Sequence, residues 1–183
     1  MDSPEIILHD PLSNRVPELP LIWDDLVKAD QHGIMVICQQ NNCVTRSARG
    51  LAQHIAQQLG VNPYIDRSIL GERIPGRVEV MPSPHRSIVV ANMYAQYNPG
   101  KSARLTNIST RDAFNISIED TPEQRLGWFR LCCQTVHIWL KQSNLTQIGV
   151  PYMIGCGLAG GNWTDYLQII REELPEAVLF RLP

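Results

Sequence analysis

Residues Gln147 to Ile170 read QIGVPYMIGCGLAGGNWTDYLQII. The stretch opens on an apolar, β-favouring run with Ile148, Val150, Tyr152 and Ile154, and passes through Gly155-Cys-Gly157-Leu-Ala-Gly160-Gly161. It then enters a helical pattern that places Trp163, Leu167, Ile170 and Leu174 on one face. The expected order is strand, glycine loop, helix. Four glycines in seven residues let the backbone turn sharply and come close to a ligand without Cβ interference. Asn162 is a good N-cap, so unpaired amides and the positive end of the helix dipole would face whatever occupies the loop, and a phosphate oxygen suits that place. The spacing of Gly155, Gly157 and Gly160 also satisfies the dinucleotide pattern G-x-G-x-x-G. That pattern normally opens a long βαβ domain, whereas here only about twenty residues follow. A tight turn with no ligand is the third reading.

The same order occurs earlier. Ile34-Met-Val-Ile-Cys38 is an unbroken apolar run, the mark of a strand covered on both faces. It leads through the polar segment Gln39 to Gly50 into a helix with Leu51, Ile55 and Leu59 at four-residue spacing, stopped by Gly60. Arg77 to Met81 and Ser87 to Met93 read as two strands joined by the Pro82-Ser-Pro84 turn, and the second empties into a third loop, Tyr94 to Gly100. Residues 101–119 are polar with little periodicity, as in a mobile loop or lid. Thr121-Pro-Glu-Gln124 is a capping box that starts a helix burying Leu126, Phe129, Cys133, Val136 and Leu140. Glu5 to Leu8 and Val178 to Arg181 complete the strands, and Leu21 to Ala29 is expected as a short amphipathic helix ended by Gly33. About six strands alternating with four helices predict an α/β fold, a three-layer α/β/α sandwich around a mixed, mostly parallel sheet. Ligands in such folds sit beyond the carboxyl ends of the strands, where these loops would meet.

Composition narrows the function classes. A chain of 183 residues and 20.7 kDa, 44% hydrophobic and 19% charged, suits a single domain over 1–183. A net charge of -2 leaves no basic footprint, and Arg46, Arg49, Arg67, Arg73, Arg77 and Arg86 are interleaved with acids, so a nucleic-acid partner is not expected. Neither a signal peptide nor an apolar run of membrane-spanning length is visible, so a cytoplasmic protein with no membrane partner is expected. Cys38, Cys43, Cys132, Cys133 and Cys156 form no C-x-x-C pair and the histidines no H-x-x-x-H pair; reduced thiols, no metal and no cofactor are expected. Cys43 is either a buried structural thiol or, at a helix N-terminus, a nucleophile. Asn41 and Asn42 are either ligand groups or caps of a turn.

Four stretches carry a resemblance to a known family. PYMIGCGLAGGNW is similar to the macro domain phosphate loop P-x-IGCGLAGG-D/N-W, and Gln40-Asn-Asn-Cys43 through Gly50-Leu-Ala52 resembles the Q-V-N-C-x-G-V-M-G-x-G-L/I-A pattern of bacterial and phage members. Val90-Ala-Asn-Met-Tyr-Ala-Gln96 looks like their ANM-x-x-Q strand end, and Asp120 through Phe129 looks like the D-x-x-x-x-R-L-x-W-F helix start of phage and large-virus versions. The resemblance implies a domain that binds ADP-ribose or a derivative, with an ADP-ribosylated protein as a further partner class. It implies that Asn42 contacts the distal ribose, that Gly155, Cys156, Gly157, Leu158, Ala159, Gly160 and Gly161 hold the phosphates through their amides, and that Asp10 accepts from the adenine amino group. Cys43, Gly50, Tyr94 and Gln96 would also contact the ligand. A carboxylate selecting adenine through its exocyclic donor and glycine amides on a pyrophosphate are sound chemistry.

The implied activity is hydrolysis of ADP-ribose 1''-phosphate or of an ADP-ribosyl linkage, with water positioned by the catalytic Asn42. The alternatives are a non-catalytic reader of ADP-ribose and a ligand-free interaction scaffold. Thr45, Ala48 and Arg49 stand where relatives carry glycines, and Arg46 or Arg49 could pair directly with phosphate. Members that use a lysine after the third strand and an aspartate in the second glycine loop have those places matched here by Tyr94 and Ala159.

Overall fold

A computed structural model of the chain describes residues 18–65, 74–102 and 118–183. The expected strand at Glu5 to Leu8, Asp10, and most of the 101–119 excursion lie outside them. The described strands are β1 (Leu21–Trp23), β2 (Val36–Asn42), β3 (Val78–Pro82), β4 (Val89–Gln96), β5 (Ile148–Pro151) and β6 (Ala177–Arg181). The α-helices are α1 (Leu51–Leu59), α2 (Pro122–Gln142) and α3 (Trp163–Glu173), and a 3-10 helix spans Leu26–His32. They form one sheet in the order β1-β6-β5-β2-β4-β3, parallel throughout except for the antiparallel β3–β4 pair.

The alternation along β2 shows why its apolar run is unbroken. Val36 and Cys38 turn to the face covered by α2 and α3, against Phe129, Cys133, Val136 and Ile170. Ile37 turns to the other face, against Leu26, Ile55, Leu59 and Val90. A strand coated by helices on both sides has no solvent face to mark with polar residues. The expected three-layer α/β/α sandwich is thus the observed one.

The helix ends follow the local chemistry. Thr121 Oγ1 accepts from Gln124 N at 3.2 Å ahead of Pro122, Asn162 Oδ1 accepts from Thr164 N at 2.9 Å, and Gly33 and Gly60 close their helices at φ 75 and 69.

Three expectations need correction. Leu21–Trp23 is not the start of a helix but an edge strand parallel to β6, with Leu21 opposite Leu179 and Trp23 opposite Arg181. The helix that follows begins after Asp25, whose carboxylate caps Val27 N at 3.2 Å. In addition, Gln39 to Asn42 continue β2 instead of starting a loop, while Tyr152 to Ile154 leave the sheet as a turn in which Met153 takes φ 63. Because the strands are parallel, the carboxyl ends of β2, β4, β5, β6 and β1 open on one edge, which brings the three loops together.

Candidate functional site

The loops enclose a cavity of about 680 Å³. Its wall carries Gln39, Gln40 and Asn42 from the end of β2, Thr45, Ser47 and Arg49 from the loop beyond, and Gly50 with Leu51 at the start of α1. Gln96, Pro99 and Gly100 come from the end of β4, and Tyr152, Met153, Gly155, Gly157, Leu158 and Ala159 from the glycine loop.

The glycines of that loop are required for different reasons. Gly155 has φ 73, and a Cβ there would run into the Tyr166 ring; a Cβ on Gly161 would stand 2.6 Å from the same ring. Tyr166, on α3, fills the space beneath the loop and meets Phe129 in a tilted contact with ring centroids 4.6 Å apart, and burial pushes its phenol up to about 12. At Gly160, with φ 70, a Cβ would meet Lys101 Cγ at 2.9 Å, so the lysine stem lies along the loop. Gly157 differs: its φ is not in the left-handed region and nothing lies within 4 Å of its Cβ position. Among the described residues, protein packing therefore does not require a glycine at 157.

The amides divide in the same way. Cys156 N bonds Met153 O at 3.0 Å, Gly160 N bonds Gly157 O at 3.0 Å and Gly161 N bonds Gly155 O at 2.9 Å, so three of the seven amides assigned to phosphate close the loop on itself. Among the described residues, the amides of Gly157, Leu158 and Ala159 make no hydrogen bond. These three consecutive N–H groups lie on the cavity wall just ahead of the α3 N-terminus.

On the opposite wall the chain uses side chains. Asn42 Oδ1 accepts from Val44 N at 3.1 Å and Thr45 N at 2.8 Å, so the turn-capping reading is realised, although Asn42 still borders the cavity. Gln39 Nε2 donates to Asn92 Oδ1 at 2.8 Å, Gln40 Nε2 to Gln96 Oε1 at 2.7 Å and Asn41 Nδ2 to Tyr64 Oη at 3.0 Å. These lateral bonds hold the polar end of β2 in the sheet. They also leave Gln39 Oε1, Gln40 Oε1 and Asn41 Oδ1 buried with no hydrogen-bond partner among the described residues.

The remaining assigned residues separate. Gln96 is on the wall, with Nε2 bonded to Asn98 O at 3.0 Å, and Gly50 is on the wall at the start of α1. Tyr94 is buried with its hydroxyl donating to Glu79 Oε2 at 2.7 Å, away from the cavity-lining residues. Cys43 is buried and bonds Tyr97 O through its amide at 3.0 Å, tying the ends of β2 and β4; its side chain is not part of the wall. Cys156 donates its Sγ–H to Ile154 O at 3.3 Å, and burial raises the thiol to about 11, so it is protonated at neutral pH. Burial likewise holds Cys38 at about 12.

One feature of the site escaped the sequence reading. Arg181 lies over the Trp23 ring and over the Tyr152 ring at 4.8 Å each, and Tyr152 contacts Trp163 at 5.1 Å. This ladder runs from the exposed β1 edge to the cavity wall, where Tyr152 is its inner rung. Its members are scattered over the sequence and only the β1–β6 pairing assembles them.

No family model and no curated protein matches the sequence. Solved structures do. A macrodomain of Thermus aquaticus DarG superposes with TM-score 0.62 at 16% identity, covering 91% of this chain and 99% of that one. A macrodomain protein from Streptomyces coelicolor gives 0.59 at 15% identity, covering 91% and 100%. Thermosipho africanus DarTG, solved in complex with ADP-ribose, gives 0.55 at 15% identity over 92% of this chain and 43% of that one. The six-stranded mixed sheet, its strand-end cavity and these superpositions establish that the chain has the macrodomain fold.

Proposed function

We propose that this chain binds ADP-ribose or a derivative of it in the strand-end cavity. The observation that carries this reading is the set of unbonded amides at Gly157, Leu158 and Ala159, which suit a diphosphate, beside a glycine whose missing side chain leaves only the cavity open. Asn42, on the cavity wall at the end of β2, would contact the hydroxyls of the distal ribose, and the Tyr152 ring on the same wall would face the purine end. The complex of the Thermosipho africanus protein with ADP-ribose supports the ligand class. A ligand in large excess over its dissociation constant stabilises the fold by roughly 3 to 4 kcal/mol. Thermal denaturation with ADP-ribose is expected to show that gain; no shift at millimolar ligand defeats the reading.

Turnover is a separate step. Among the described residues the wall carries no Asp, Glu, His or Cys side chain. Hydrolysis would use a water held near Asn42 and activated by the ligand's own phosphate. The second reading is a non-catalytic reader of ADP-ribose or of ADP-ribosylated protein. Phosphate release from ADP-ribose 1''-phosphate that is lost in Asn42→Ala selects the enzyme. Tight binding without release selects the reader.

A further inference from the structure

Arg125 and Asp120 are 3% and 0% exposed, an ion pair wholly inside the protein. Arg125 Nε donates to Asp120 Oδ1 at 2.6 Å and Nη2 to Asp120 Oδ2 at 2.7 Å, and Oδ2 also accepts from Asn98 N at 2.9 Å. The outward-facing N–H groups of the guanidinium reach three backbone carbonyls: Asn98 O at 3.2 Å, Gly100 O at 2.7 Å and Ala159 O at 3.2 Å. Asn98 and Gly100 belong to the loop after β4, and Ala159 to the glycine loop. Among the described residues no backbone hydrogen bond joins these two loops, and both contribute to the cavity wall.

A buried ion pair is a poor way to gain stability, since its desolvation offsets most of the attraction and apolar residues of similar size often do as well. What apolar packing cannot do is fix the direction of carbonyls. A planar cation anchored on a carboxylate does so for three at once. A carbonyl of Ala159 drawn to a guanidinium behind the wall cannot swing forward to repel an anion in front of it. Lys101, whose stem packs along Gly160, presses the same two loops together.

The geometry points to Arg125 as a positioning residue that locks the two loops together and so sets the direction of the amides of Gly157, Leu158 and Ala159 toward a diphosphate. The inference rests on the reading that a diphosphate occupies this loop. Arg125→Lys keeps the charge but loses the planar fork. It is expected to weaken ADP-ribose and ADP alike by about 10- to 100-fold while leaving adenosine, which lacks the phosphates, within about twofold of wild type. In the unliganded variant the amide resonances of residues 157–159 should move while those of Val90 and Val178, deep in the sheet, stay in place. Methylguanidinium should restore part of the ADP affinity of Arg125→Ala. A folded Arg125→Lys that binds ADP-ribose as wild type does, or that loses adenosine and ADP equally, overturns the assignment.

Should neither variant fold, hydrogen exchange on the wild type decides. ADP is expected to slow the Arg125 Nε–H together with the amides of residues 157–159; slowing of the amides alone overturns the proposal. Wild type that binds neither ADP-ribose nor ADP would instead remove the functional reading. The resonance shifts in unliganded Arg125→Lys would still test the role of Arg125.

Discussion

Two loops of this molecule have the same parentage and opposite constructions. Each leaves the carboxyl end of a buried parallel strand and runs into a helix, β2 into α1 and β5 into α3. The second presents the backbone of Gly155, Gly157 and Ala159 to the cavity and is supported from beneath by Tyr166 and from the side by Lys101. The first is closed by the Asn42 carboxamide and presents Thr45, Ser47 and Arg49. A backbone wall is rigid and reads charge and shape; a side-chain wall can be redirected by single substitutions. The prediction is that the backbone wall supplies most of the affinity and the side-chain wall most of the selectivity.

The largest effect should come from the glycine that the protein itself needs. Gly155→Ala places a methyl in the Tyr166 ring at a left-handed φ of 73, combining overpacking with backbone strain. It should cost about 3 kcal/mol or more, lowering the melting temperature by roughly 6 to 12 °C. A melting curve indistinguishable from wild type would mean that Tyr166 does not support the loop.

Gly157→Ala is the complementary experiment. With nothing within 4 Å of the new methyl and no left-handed φ to strain, stability should stay within about 0.5 kcal/mol. ADP-ribose affinity should nevertheless fall about tenfold, a loss of about 1.4 kcal/mol, because the methyl stands where the diphosphate would approach. Calorimetric titration beside a melting curve separates the two quantities. Unchanged affinity in Gly157→Ala would place the phosphates elsewhere in the cavity.

What could be read in the chain depended on how local the cause was. The Ile34–Cys38 run, the glycine loop and the caps at Thr121 and Asn162 each carry their reason within a few residues; the structure has the loop and both caps, and the strand from Val36 on. Leu21–Trp23 was misread because a three-residue edge strand has no pattern of its own; its identity comes from Leu179 to Arg181, at the other end of the chain. Gln39 to Asn42 look like a loop because carboxamides usually end strands. Here their partners Asn92, Gln96 and Tyr64 stand 53, 56 and 23 residues away. The same distance hid the buried acceptor of Gln39 and the Trp23–Arg181–Tyr152 ladder. The glycine loop reads as a phosphate loop from its spacing alone, but which of its amides remain unbonded follows only from three turns inside it that no spacing displays.

The smallest effect belongs to the side-chain wall. Arg49 is exposed and borders the cavity, so any attraction for a ligand phosphate acts across solvent. Exposed ion pairs contribute about 0.2 to 1 kcal/mol, so Arg49→Met should weaken ADP-ribose by about 1.4- to fivefold at low salt. That difference should shrink toward nothing at about 1 M salt, where the screening length falls to about 3 Å. The Gly157→Ala loss, being steric, should persist at the same salt. If the Arg49→Met loss proved tenfold or more and indifferent to salt, the guanidinium would be gripping the ligand as a desolvated partner. The division between a backbone wall that binds and a side-chain wall that selects would then be wrong at its best-exposed point.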